Sequence, residues 1–175
     1  IFCHESQRIT KRVLCCLTML LVIGLAGCSG KKVSMEPSGG YKDDGQEKEE
    51  GLSLLKSFEA ECLDGSTFTQ DNLAEKDVTV INFWSLTCGP CIREMPEIAE
   101  FEKSLPDNVQ LITVCLDGTD AADIVKDVLE EAGYEGITLL NGDGDFIMTC
   151  SAIMYTPTTV LVDSEGTMLG GAIIG

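Results

Sequence analysis

Histidine is almost missing from this chain: the single copy stands at position 4 of 175 residues. Everything downstream lacks an imidazole. That excludes a Ser-His-Asp or Cys-His nucleophile and any histidine-ligated metal centre from the body of the protein. Cationic side chains are also scarce, with 12 Lys and Arg against 29 Asp and Glu. A net charge of −17 argues against a nucleic-acid partner, since phosphate contacts need basic groups. No apolar stretch is long enough to cross a bilayer. The best, Val13 to Ala26, falls short of the ~20 residues a spanning helix requires.

That stretch follows Lys11-Arg12 and ends in small residues, the layout of a secretory signal. Its close, Leu25-Ala26-Gly27-Cys28, resembles the lipobox of bacterial lipoproteins, in which the cysteine is lipidated and becomes the first residue. The organisation expected is therefore a signal peptide over 1–27, a lipidated flexible tether over 28–51 and a folded domain over 52–175. Acyl chains on Cys28 would hold the protein to a membrane without spanning it. Residues 29–51 are rich in Lys, Glu, Asp, Gly and Ser and offer too little apolar surface to fold.

From Phe58 onward the hydrophobic period switches repeatedly. Phe58–Leu63 reads as a strand and Asp64-Gly65 as a turn. Val78–Trp84 is β-branched and aromatic, as a buried central strand should be. Ile92, Met95, Ile98, Ala99 and Leu105 recur at helical spacing, interrupted by Pro96. Val109–Leu116 is a second apolar strand. Thr119 or Asp120 is placed to cap a helix to Ala132, with Ile124, Val125, Val128 and Leu129 inward. Ile137–Leu140 reads as a strand, Asp145–Met154 as a helix, and Thr158–Val162 with Thr167–Leu169 as a hairpin around Asp163–Gly166. The fold class expected is α/β, a mixed central sheet flanked by helices. Position 1 is not Met and no helix pattern follows the hairpin. The expectation is that the chain is a fragment missing a C-terminal helix.

Nine cysteines occur, five of them after position 51: Cys62, Cys88, Cys91, Cys115 and Cys150. Only Cys88 and Cys91 are close in sequence, in Cys88-Gly89-Pro90-Cys91 between a strand and a helix pattern. A helix N-terminus offers free N–H groups and a positive dipole end, which stabilise a thiolate. Cys88, at the start, is the candidate nucleophile, and Cys91, inside the first turn, the resolving thiol. Structural zinc would need a second such pair or histidines, so no metal is expected. Trp84 and Phe83 read chiefly as packing residues, with Trp84 also a candidate for substrate contact. The other three cysteines read as free and structural.

The segment Asn82-Phe83-Trp84-Ser85-Leu86-Thr87-Cys88-Gly89-Pro90-Cys91-Ile92-Arg93-Glu94-Met95-Pro96 resembles the active-site segment of the thioredoxin superfamily. It is most similar to the membrane-tethered TlpA/ResA-like thiol–disulfide oxidoreductases. The resemblance implies a thioredoxin-like fold, with a redox-active Cys88–Cys91 disulfide and no other cofactor. It implies that Glu94 is an active-site proton acceptor, and that Thr156-Pro157 carries a cis-proline facing the disulfide and pairing with bound peptide. Asn82 stands where cytoplasmic thioredoxins carry a buried Asp, so that base is absent. The function implied is reduction of extracytoplasmic protein disulfides, with re-reduction by a membrane electron donor of the CcdA/DsbD type. A peroxiredoxin-like thiol peroxidase and a non-catalytic binding module on the same scaffold are the alternatives.

Overall fold

A computed structural model describes residues 52–175; the expected signal peptide, the expected lipidation at Cys28 and the expected tether lie outside the described residues. Among the described residues seven strands, numbered β1 to β7 in chain order, form one sheet in the spatial order β2-β1-β5-β4-β3-β6-β7. At its centre, β3 (Val78–Trp84), β4 (Val109–Cys115) and β5 (Ile137–Gly142) run parallel, and β6 (Thr158–Asp163) lies antiparallel to β3. The outer strands β1 (Glu59–Cys62), β2 (Thr67–Thr69) and β7 (Ile173–Ile174) pair antiparallel to their neighbours. The expected α/β architecture, a mixed sheet flanked by helices, is what the chain adopts.

The pleat sorts the core into two layers. Val80, Trp84, Leu111, Cys115 and Leu161 face α2 (Gly89–Lys103) and α3 (Ala122–Ala132). Ile81, Phe83, Ile112, Val114, Val160 and Val162 face the other way, toward Phe58, Leu73 and Phe146 of the layer that holds α1 (Gln70–Ala74) and α4 (Asp145–Ala152). Because successive strand residues point to opposite faces, a strand covered on both sides reads as a largely apolar run, as β3 does apart from Thr79 and Asn82.

One row on the α2 side is polar. Thr159, Asn82, Thr113 and Thr138 stand side by side across β6, β3, β4 and β5, all buried. The row satisfies itself: Asn82 Nδ2 donates to Thr159 Oγ1 at 3.1 Å, and the Thr113 and Thr138 hydroxyls bond at 2.7 Å. Asn82 thus serves as a hydrogen-bond donor beneath the CxxC segment.

Several local expectations need correction. β2 and α1 were not foreseen. The helix start there is a capping box in which Thr69 Oγ1 accepts from Asp71 N–H and Asn72 Oδ1 from Thr69 N–H. Asn closes the box instead of the usual Glu or Gln, and five residues are too few to show a helical period. Pro96 does not interrupt α2, which runs continuously from Gly89 to Lys103. Neither Thr119 nor Asp120 caps α3: the N-cap is Ala121, and the Thr119 hydroxyl donates to the Leu140 carbonyl. Ile124 is 57% exposed, off the buried Val125–Leu129 stripe. The turn at Asp163–Gly166 is present, but its return arm makes only isolated bridges, Ser53 to Thr167 and Val162 to Met168, before β7 pairs with Thr158 and Thr159. The Leu52–Leu55 segment takes the remaining positions, with Leu54 and Leu55 N–H donating to Gly166 O and Met168 N–H to Leu52 O. Among the described residues no helix follows β7.

Candidate active site

β3 ends at Trp84, and the four-residue loop Ser85–Cys88 carries the chain into α2. The site therefore forms at the C-terminal edge of the parallel strands, where α/β sheets place their ligands. Cys88 is the N-cap of α2, with Pro90 in its first turn. Cys88 and Cys91 form a disulfide with Cα atoms 5.3 Å apart. The Cys91 N–H donates to Cys88 Sγ at 3.2 Å, the bond an N-cap side chain normally accepts. In the reduced state the same N–H and the helix dipole favour a thiolate at Cys88.

Accessibility separates the two sulfurs. Cys88 is half-buried, whereas Cys91 is 2% exposed and packs among Trp84, Met95 and Ile98. A partner can reach only Cys88. On its other side, Cys88 Sγ lies 3.5 Å from the carbonyl oxygen of Thr156, and the Thr156–Pro157 peptide bond is cis. Cys88, Cys91, Thr156 and Pro157, about seventy residues apart in sequence, thus share one site.

Glu94 follows Cys91 by three positions, on the same face of α2. It is 7% exposed, and its Oε1 has no hydrogen-bond partner. Burial, reinforced by the charge of Glu97, pushes its carboxyl up to about 7. A carboxyl poised there can hold or accept a proton near neutral pH. Trp84 does not fit the substrate-contact role considered for it. It is 0% exposed and packs behind the disulfide, because its position in β3 turns the indole toward α2. The exposed side chains beside Thr156 are Met154 and Tyr155, at 78% and 68%. Neither was singled out, since single exposed apolar residues carry no periodic signal.

Asp117, just past the end of β4, was also missed. Its carboxylate accepts from Leu86 N–H at 2.8 Å and from the Ser85 hydroxyl at 2.7 Å, both in the loop that leads to Cys88. The available signal was its place: an acidic residue directly after a parallel strand, at the edge where β3 delivers the CxxC. Among the described residues, no three His, Cys, Asp or Glu side chains are grouped to hold a metal ion. Cys62, Cys115 and Cys150 are free thiols.

The profile of the Redoxin family matches residues 49–169. Sporulation thiol-disulfide oxidoreductase A of Bacillus subtilis is 27% identical over 160 residues, covering 90% of this chain and 87% of that one. Thiol-disulfide oxidoreductase ResA of Bacillus thuringiensis is 29% identical over 126 residues, 70% of each chain. The crystal structure of StoA from Bacillus subtilis superposes with a TM-score of 0.56 at 22% identity, over 70% of this chain and 90% of that one.

Proposed function

From the premise that this chain belongs to the Redoxin family and is a ResA/TlpA-like thiol–disulfide oxidoreductase, we propose that it works outside the cytoplasm, reducing protein disulfides while held to a bacterial membrane by lipid on Cys28. The observation that carries the reaction is the placement of Cys88. It is the accessible sulfur of the pair, it caps α2, and it sits against the Thr156 carbonyl. The Leu25-Ala26-Gly27-Cys28 segment supports the anchor.

In the reduced protein the Cys88 thiolate attacks one sulfur of a substrate disulfide. A bond forms between Cys88 and that sulfur, and the other substrate sulfur leaves as a thiolate that takes up a proton. Thr156 offers backbone groups to an extended substrate segment, in the manner of strand addition, and Pro157 holds that backbone beside the disulfide. Cys91 then loses its proton to Glu94 and attacks Cys88 Sγ. The Cys88–Cys91 bond closes, and the second substrate sulfur departs as a thiolate that takes up the proton Glu94 received. Two electrons have moved from the protein to the substrate. A membrane dithiol donor of the CcdA/DsbD type returns the pair by the same exchange in reverse.

A Cys91→Ser variant tests this directly. In cells it should accumulate mixed disulfides on Cys88, isolated in the membrane fraction and released by reductant. Absence of Cys88 adducts contradicts the assignment of the nucleophile. A Cys28→Ser variant should leave the membrane fraction; if it stays, the lipid anchor is wrong.

A further inference from the structure

We propose that Asp117 is a positioning residue for the attacking thiol, clamping the Ser85–Thr87 loop so that Cys88 stays in line with the N-terminus of α2. The role rests on Cys88 being the nucleophile. Its basis is a chain of short hydrogen bonds. Asp117 Oδ2 accepts from Ser85 Oγ at 2.7 Å, and Oδ1 accepts from Leu86 N–H at 2.8 Å. Ser85 is the hub of the loop: its Oγ lies 2.8 Å from Thr87 Oγ1 and accepts from Thr87 N–H at 3.1 Å, while its carbonyl accepts from Cys88 N–H at 3.0 Å. Fixing Ser85 therefore fixes the Cys88 backbone from which Sγ reaches the Cys91 N–H.

The clamp is itself anchored to the sheet. Leu116 N–H donates to Trp84 O at 2.9 Å, and Gly118 N–H to Cys115 O at 3.3 Å, so the turn bearing Asp117 is tied to the ends of β3 and β4. Cys115 Sγ lies 3.5 Å from Asp117 Oδ1. Asp117 is exposed; the desolvation it does undergo works to raise its carboxyl, but the bonds from Leu86, Ser85 and Cys115 outweigh it and hold the group below its ordinary value. It is thus an acceptor throughout the working pH range. Charge-assisted bonds of this kind are short and strong.

Charge and clamp predict opposite signs. A carboxylate near a thiol disfavours the thiolate, so on charge alone any neutral replacement lowers the Cys88 pKa. Loss of the clamp loosens the Cys88 Sγ contact with the Cys91 N–H and raises it. The measurement is the pH dependence of iodoacetamide alkylation of the reduced protein, with the labelled cysteine identified by peptide mass. Asp117→Ala should shift the Cys88 profile to higher pH by about half a pH unit or more. Asp117→Asn should restore it to the wild-type value or lower, since the amide oxygen can accept from Leu86 and the amide N–H can donate to Ser85. An unchanged or lowered Cys88 pKa in Asp117→Ala overturns the clamp, as does an Asn variant that matches the Ala variant. Should Asp117→Ala fail to fold, Ser85→Ala removes the hub without changing charge. It should raise the Cys88 pKa, and no rise overturns the proposal. Label falling first on Cys91 in the wild type instead refutes the assignment of Cys88, and this role with it.

Discussion

Glu94 joins a buried position to an ionisable side chain, and that conflict sets a pH dependence. Its carboxyl is held at about 7 in the fold, above the 4.5 ordinary for glutamate. The folded state therefore binds more protons than the unfolded state between those values, and stability falls as pH rises through that window. The loss should amount to a few kcal/mol, on the order of 1.4 kcal/mol for each pH unit of displacement. Urea denaturation of the oxidised wild type at pH 4.5 and pH 8 should show it, and Glu94→Gln should flatten the difference. An equal slope in both proteins would mean that another group carries the effect. The free thiols give a second residue-scale expectation. Burial raises Cys62, pushes Cys115 up to about 12, where Asp117 adds to the effect, and pushes Cys150 up to about 11. All three should resist iodoacetamide at pH 8 in the native oxidised protein and react once denatured. Rapid native labelling of any of them would show that the residue is more open than its packing indicates.

At the scale of elements, legibility followed length and period. β3 and β4 were readable as long, largely apolar β-branched runs, and α2 and α3 as helical repeats of apolar residues. The pairing of Cys88 with Cys91 was readable because both thiols lie in one tetrapeptide. β2 and α1 were not, since three and five residues hold too few positions to show a period. Trp84 was misjudged as a possible contact because an aromatic residue next to a CxxC suggests a surface, and only the pleat shows which face it takes. Asp117 acts through a loop whose Leu86 lies 31 residues away in sequence, a pairing that exists only after β3 and β4 align. The turn after β6 offers a check on element packing. Gly166 has φ of 74°, and a Cβ there would stand 2.2 Å from the Leu55 carbonyl oxygen. Gly166→Ala should undock the Leu52–Leu55 segment and lower stability by about 1–3 kcal/mol, read from the urea midpoint. It should leave the Cys88 alkylation profile in place, because the segment packs on the opposite layer from α2. An unchanged midpoint would show that this crossing is not held as tightly as the geometry implies.

For the whole molecule, charge and redox chemistry are the two properties that matter. Residues 52–175 carry five Lys and Arg against 22 Asp and Glu, so the entire net charge resides in them. Among the described residues one ion pair forms, Lys126 with Glu130 at 3.7 Å on an exposed helix face, which contributes little. Self-repulsion should therefore oppose the compact state, and raising NaCl from near zero to about 0.3 M should stabilise it by screening. A urea midpoint that stays flat or falls would contradict that. The function proposed for this fold requires one attacking sulfur and one resolving sulfur, Cys88 and Cys91, to act on a protein disulfide. The most direct test is the dithiothreitol-driven reduction of insulin, followed by turbidity, with hydrogen peroxide consumption measured in parallel. The wild type should accelerate insulin reduction catalytically, and Cys88→Ser should abolish the acceleration. Full activity in Cys88→Ser, or peroxide consumption without insulin reduction, would contradict it.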